Sequence, residues 1–321
     1  MASHPLPLPA PAPDAPLFIV INEGSGKHEG ETPRETIAAL LEAAGRRHAF
    51  LVVEDPAHIA GVAKAAVARA RAEGGIVVAA GGDGTLNAVA QAVAGSGCAC
   101  GVLPQGTFNY FGRTHGIPQD LADSVPALLR ASVEPVQVGR VNGHVFLVNA
   151  SLGLYPEILQ DREGFKKKLG RSRWVAIFSG LRTLMREGRR LQLEIESENG
   201  RQRVRTPSLF VGNNRLQLDR LGLPEEAALA DGRLAGIMVR PMGHLAMLGL
   251  ALRGALGKLG DADNVRHFPF RKMTVSPRGN RLAKVAVDGE ILWLRTPLVF
   301  EVSPEPLPLM MPRRQDRAPV E

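Results

Sequence analysis

Cysteine is almost missing. Cys98 and Cys100 are the only two in 321 residues, and both lie in a small apolar segment. That excludes a disulfide framework and a zinc-ligand set, and reads as two small buried residues of a reducing compartment. Aromatic residues make up 5% of the chain, and no basic run is interleaved with stacking rings. Nucleic acid is therefore not an expected partner. Long apolar runs are lacking too. The longest, residues 245–259, is rich in glycine and is broken by Arg253 and Lys258, so no membrane span is expected. The N-terminus has neither the cationic start nor the apolar core of a signal peptide. The 8 histidines show no ligand spacing, and neither Gly-x-Ser-x-Gly nor a Walker sequence occurs. These absences point to a cytoplasmic protein whose contact with a membrane, if any, is peripheral and on the inner face.

What is present begins with residues 1–16, where alternating prolines predict an extended, disordered tail. The remaining length suits two domains, each with its own core. The formal charge of +7 favours an anionic partner, and with nucleic acid set aside that leaves a nucleotide or an acidic membrane surface. From residue 17 to about 135, strands and helices alternate. Strands are expected at residues 17–21, 49–53, 76–80 and 98–103. Helices are expected from a capping box at Thr32-Pro33-Arg34-Glu35, from Asp55-Pro56 with Ile59, Val62, Ala66 and Ala70 on one face, and from Leu86. A further helix near residues 120–130 contains Pro126 and is expected to kink or start late. Such alternation means right-handed βαβ units and a doubly wound parallel sheet.

The stretch Ile76 to Val93 organises the chain. A β-branched apolar run gives way to Gly81-Gly82-Asp83-Gly84-Thr85, and then to Leu86, Val89, Ala90 and Val93 at helical spacing. A glycine turn between a buried strand and a helix offers unpaired N–H groups to phosphate oxygens, with the positive helix end behind them. Similar turns follow the first strand (Asn22-Glu23-Gly24-Ser25-Gly26-Lys27) and the fourth (Pro104-Gln105-Gly106-Thr107). All three fall at the carboxyl edge of the sheet, where ligands of such folds sit. After Pro135 the pattern changes. Hairpins at Asn142-Gly143 and Asn199-Gly200, with short strands near residues 234–239, 270–275 and 284–287, predict a mostly antiparallel β domain.

Gly81-Gly82-Asp83-Gly84-Thr85-Leu86-Asn87 resembles the nucleotide loop of the diacylglycerol kinase catalytic family of lipid kinases. NAD kinases and 6-phosphofructokinases share only the Gly-Gly-Asp-Gly core. Pro104 to Arg113 is similar to the family's second signature, and Asn22 to Lys27 to its first turn. The resemblance implies a nucleotide-binding α/β domain over residues 17–135, to which residues 303–321 return, and a β-sandwich lipid-substrate domain over 136–302. It further implies ATP on Asn22, Gly24, Ser25, Gly26, Gly81, Gly82, Asp83, Gly84, Thr85, Asn87, Gly106 and Thr107, with Lys27 as a charge partner and Mg²⁺ on the phosphates.

Asp288-Gly289-Glu290 reads from its residues alone as a tight turn with an exposed Glu. The resemblance makes Glu290 the base that takes a lipid hydroxyl proton and Asp288 a supporting carboxylate. Asp231-Gly232 reads as a β-turn, and by resemblance Asp231 is a structural Mg²⁺ ligand. Glu23, Ala88 and Tyr110 depart from the family's residues. An NAD kinase-like enzyme, or a nucleotide- or lipid-binding homologue without catalysis, therefore stays open beside an ATP-dependent lipid kinase. The basic stretch from Lys166 to Arg190, with apolar positions from Trp174 to Met185, suits an anionic membrane surface or a core helix with a solvated end. Edge strands leave a homodimer open.

Overall fold

The structure, a computed structural model, describes residues 11–22, 32–106, 108–153, 156, 191–198, 200–220, 222, 229, 231–243, 246, 249, 253, 264–279 and 281–320. These fall into two compact units that divide between Val138 and Gly139 and again between Val302 and Ser303.

The first unit runs β1 (Leu17–Ile21), α1 (Pro33–Ala43), β2 (His48–Val52), α2 (Ile59–Glu73), β3 (Ile76–Gly81), α3 (Asp83–Val93), β4 (Ala99–Pro104), α4 (Tyr110–Thr114), α5 (Leu121–Leu129) and β5 (Ser132–Val136). The chain's last strand, β18 (Leu307–Met311), completes it, giving the sheet order β2-β1-β3-β4-β18-β5. Every pairing is parallel except that of β18 with β5. β1, β3 and β4 are buried along their whole length, as unbroken apolar runs require between two helical layers.

Local chemistry sets the helix ends. Thr32 Oγ1 accepts the Glu35 N–H at 3.3 Å and Glu35 Oε2 accepts the Thr32 N–H at 2.8 Å, a reciprocal cap that stabilises α1 by about 1 kcal/mol. Residues 56–58 form a 3₁₀ turn before α2. The helix then buries Ala63, Ala66, Val67 and Ala70, so Ile59 and Val62 lie off the expected stripe. α5 starts at its Asp120 cap and carries Pro126 internally rather than starting late. Its buried Val125 and Leu128 offset the backbone bond that proline removes. Cys98 and Cys100 are free and buried, and burial pushes the Cys100 thiol up to about 12, which leaves it inert.

The C-terminal residues lie against α4 and α5. The Asp316 carboxylate accepts Arg130 Nε at 3.1 Å and Nη2 at 2.8 Å, and the Ala318 N–H donates to Gly116 O at 2.8 Å. His115 lies here, its ring edge-on to Phe111 at 4.5 Å. Burial first, and the Arg317 charge second, lower its pKa to about 4. The folded chain therefore refuses a proton that the unfolded chain accepts near pH 6.5. Stability is full above that pH and falls as pH drops toward about 4. A loss of roughly 2 kcal/mol is expected across this window, allowing for partial solvent contact. Urea titrations at pH 7 and pH 4.5 check it, and His115→Gln should flatten the difference.

The second unit comprises β6 (Gly139–Val141), β7 (His144–Phe146), β8 (Asn149–Gly153), β9 (Leu191–Ser197), β10 (Gly200–Thr206), β11 (Ser208–Gly212), α6 (Arg215–Arg220), β12 (Leu234–Val239), β13 (Val265–Phe270), β14 (Lys272–Pro277), β15 (Leu282–Val287), β16 (Glu290–Arg295) and β17 (Leu298–Val302). They form two six-stranded antiparallel sheets, ordered β10-β9-β14-β17-β6-β7 and β13-β12-β11-β8-β15-β16. One core takes Phe146, Ile195, Met273 and Phe300 from the first sheet and Leu152, Leu209, Val211 and Val285 from the second. That is the packing of a β-sandwich. Asn142 and Gly143 both have positive φ, 47° and 83°, as a type I′ turn demands. β17 pairs with β14 and β6 inside the sandwich, where Leu298 and Phe300 find their core. No helix of the described residues is long and apolar enough to cross a membrane.

Candidate active site

Two of the three glycine turns meet in the first unit. β3 and β4 run parallel in the register Gly81↔Pro104, and the Gln105 N–H donates to Gly81 O at 2.9 Å. This carries Gly82 onto Gly106. A Cβ built on Gly106 would stand 2.9 Å from Gly82 Cα and 2.6 Å from Asn109 Oδ1. A Cβ on Gly81 would meet Thr85 Oγ1 at 2.6 Å, so the buried Thr85 requires glycine there. Gly82 is the N-cap of α3 and gives it no side-chain bond. The first N–H groups of an eleven-residue helix therefore lack a side-chain cap, the arrangement that suits a phosphate. Asp83 opens that helix, Gly84 is exposed, and Asn87 is half-buried one turn on.

Asn109 has a role that its local sequence does not announce. In left-handed backbone with φ 45°, its Oδ1 accepts the Gly106 N–H at 3.1 Å. Its Nδ2 donates to Gly106 O at 2.7 Å and to Gln119 Oε1 at 2.9 Å. The motif Gly106-x-x-Asn109 was visible, but only the folded turn shows that the amide clasps the glycine from both sides. Gln105 Nε2 is buried and has no hydrogen-bond partner among the described residues. A buried donor of this kind on a phosphate-type turn fits an anionic ligand. Asn22 follows β1 and is described. Gly24, Ser25, Gly26, Lys27 and Thr107 lie outside the described residues. Gly106→Ala should destabilise the first unit by about 1–3 kcal/mol, because its methyl group meets the Gly82 backbone, which cannot swing aside. Urea unfolding of the variant beside the parent checks this.

In the second unit, Asp288 and Gly289 form the turn of the β15–β16 hairpin, with φ 44° and 90°, and Glu290 opens β16 opposite Val287. Asp288 reaches back to the segment before β8. Its Oδ2 accepts the Leu147 N–H at 2.7 Å, and its Oδ1 accepts those of Val148 and Asn149, each at 2.9 Å. Its own N–H donates to Asn149 O at 2.9 Å. Both carboxylate oxygens thus serve backbone, and Asp288 is a positioning residue for the turn. Glu290 is exposed as a residue, yet partial burial of its carboxyl and then the Asp288 charge raise its pKa above the ordinary glutamate value. A carboxylate shifted this way is a stronger proton acceptor. Behind the turn, Asn213 Nδ2 donates to Leu147 O at 3.1 Å and Asn149 Nδ2 to Gln217 Oε1 at 3.1 Å. No local pattern in the sequence marks this amide web.

Asp231 offers less. It is exposed, and its carbonyl accepts Arg271 Nη2 at 2.9 Å. No group of three or more His, Cys, Asp or Glu side chains able to hold a metal occurs among the described residues. Residues 223–228 and 230, which adjoin this turn, lie outside the described residues. The stretch from Lys166 to Arg190 lies outside the described residues.

Comparison with known proteins shows what the chain is similar to. Residues 16–141 match the model of the diacylglycerol kinase catalytic domain. A relative named probable lipid kinase YegS-like, from Pseudomonas aeruginosa, is 33% identical over 237 residues, covering 72% of this chain and 76% of the relative. A diacylglycerol kinase of Bacillus subtilis is 32% identical over 149 residues, 44% of this chain and 47% of that one. Among solved structures, a diacylglycerol kinase from Bacillus anthracis superposes with a TM-score of 0.65 at 18% identity, over 93% of this chain and 97% of the other, a likeness of fold. With glycine turns packed as a phosphate site requires and the shared sequence spanning both units, the chain belongs to the diacylglycerol kinase catalytic family of lipid kinases.

Proposed function

We propose that the protein is an ATP-dependent kinase that transfers a phosphoryl group to a hydroxyl of a membrane lipid of the diacylglycerol type. The observation that carries this reading is the back-to-back packing of Gly82 and Gly106 at the carboxyl ends of β3 and β4. It supports a nucleotide polyphosphate as ligand, because two bare backbone turns and an uncapped helix end are what phosphate oxygens need. Gly81 to Thr85, Asn87, Gly106 and Thr107 would bind the phosphates, joined by Asn22, Gly24, Ser25 and Gly26 from the first turn. Mg²⁺ would arrive on the nucleotide as part of the substrate and neutralise phosphate charge there.

Glu290 accepts the proton of the attacking lipid hydroxyl, whose oxygen forms the new O–P bond as the ADP oxygen leaves. The alcohol is too weak an acid to attack unaided, and a carboxylate of raised pKa is suited to take its proton as the bond forms. Asp288 holds the hairpin turn so that the Glu290 carboxyl keeps its place. An acceptor panel with labelled ATP tests the reading. Label should enter the organic phase with diacylglycerol or a sphingoid base, and not with NAD. Label on NAD alone, or on nothing, ends it.

A further inference from the structure

The hairpin that bears Glu290 has a second face. Ala283, Val285, Val287, Leu292 and Leu294 of β15 and β16 pack into or against the sandwich core, so the alternate positions face away from it; Ala286 is itself buried on that side, and the open part is the end of the hairpin away from the turn. There, Leu282 is 51% exposed and Trp293 is 63% exposed, two of four large apolar side chains so exposed among the described residues. The register sets Trp293 opposite Lys284 and Leu282 opposite Arg295. Lys284 Nζ lies 5.4 Å from the Trp293 ring centroid, and the exposed Arg281 precedes the strand. No acidic residue occupies an outward position on either strand, while three cations border the apolar pair.

An exposed indole and a leucine rimmed by cations match one kind of surface, apolar below and negative above. That is the headgroup–acyl boundary of an anionic bilayer. β16 is an edge strand, so a second copy of the chain is the rival occupant. Stacked face to face on a second copy, this cationic patch would meet its own sign of charge, whereas an anionic bilayer supplies the opposite one. We infer that the outer face of the β15–β16 hairpin docks on anionic lipid bilayers. Trp293 and Leu282 enter the boundary, and Arg281, Lys284 and Arg295 meet the headgroup phosphates. The lipid-kinase reading gives this docking its purpose, but bilayer binding is measured without ATP or acceptor, so each can fail alone.

The test uses the full chain carrying Trp174→Phe, which leaves Trp293 as the sole indole. Mixing with vesicles of phosphatidylcholine and phosphatidylglycerol should shift its emission to the blue, and brominated acyl chains should quench it. Vesicles of phosphatidylcholine alone should do neither. Trp293→Ser with Leu282→Ser, and separately Lys284→Glu with Arg295→Glu, should each weaken vesicle partitioning at least about tenfold. Both should keep the parent melting temperature and phosphorylation of a short-chain, water-soluble acceptor. Docking on vesicles with no phosphotransfer to any lipid sustains this inference and removes the kinase. The inference is overturned by absence of vesicle binding, by unchanged partitioning in both variants, or by a dimer that Trp293→Ser dissociates.

Discussion

Glu290→Gln is expected to lower kcat on a lipid acceptor by about 10²–10⁴-fold, the usual range for losing a positioned proton acceptor. The substitution keeps the shape of the side chain and removes its basicity. Glu290 occupies an end-of-strand position with its residue exposed, so stability should change little. ATP affinity should also hold, because the glycine turns belong to the first unit. The pH profile adds a second signature. Burial of the carboxyl and the Asp288 charge raise the Glu290 pKa, and the base works only when ionised. Activity should therefore rise with pH through a midpoint above the ordinary glutamate value, near 4.3. A Gln variant that keeps activity within about threefold, or a profile without that limb, would remove Glu290 from the proton transfer.

The second large effect is on stability. Asp288→Ala takes a carboxylate from three backbone N–H groups at 2.7, 2.9 and 2.9 Å. It also puts alanine at φ 44°, a left-handed position that alanine resists. Hydrogen bonds to a charged group stabilise by about 1.5–3 kcal/mol each, but three bonds on one acceptor do not add fully. A loss of roughly 3–4 kcal/mol is expected for the transition of the second unit. Asp288→Asn should lose about half of that, because asparagine accepts the left-handed backbone and keeps one oxygen for the N–H groups. Urea unfolding followed by tryptophan emission reads both variants, since Trp174 and Trp293 each fall within residues 139–302. An alanine variant within about 1 kcal/mol of the parent would show that the bracket contributes little.

These two carboxylates show where the sequence stopped being legible. The pattern Asp288-Gly289-Glu290 was visible as a turn, and the turn is there. That Asp288 serves the backbone at Leu147 to Asn149 was not, because the partners are about 140 positions away and contribute no side chain. The first unit was readable wherever local rules decide. The Thr32–Glu35 cap, the buried strands β1, β3 and β4, and the apolar stripe of α3 all follow from spacing within a few residues. The buried stripe of α2 lies a fraction of a turn from the one its spacing predicts, because a 3₁₀ segment over residues 56–58 precedes it. In the sandwich, β8, β13 and β16 went unrecognised, since their burial depends on cross-strand partners that no short window contains. The glycine turns were recognisable as a class. Their mutual contact, and the Asn109 clasp, come from the register of β3 with β4.

The position of β18 carries a consequence for synthesis. That strand lies between β4 and β5 in the first sheet, yet it is made only after all of the sandwich. On the ribosome, β4 must wait with an open edge while some two hundred further residues are translated, at roughly 5–20 residues per second. A nascent chain stalled near residue 302 would hold the bare N–H and C=O groups of β4 ready for any passing strand, and chaperone capture should peak at that length.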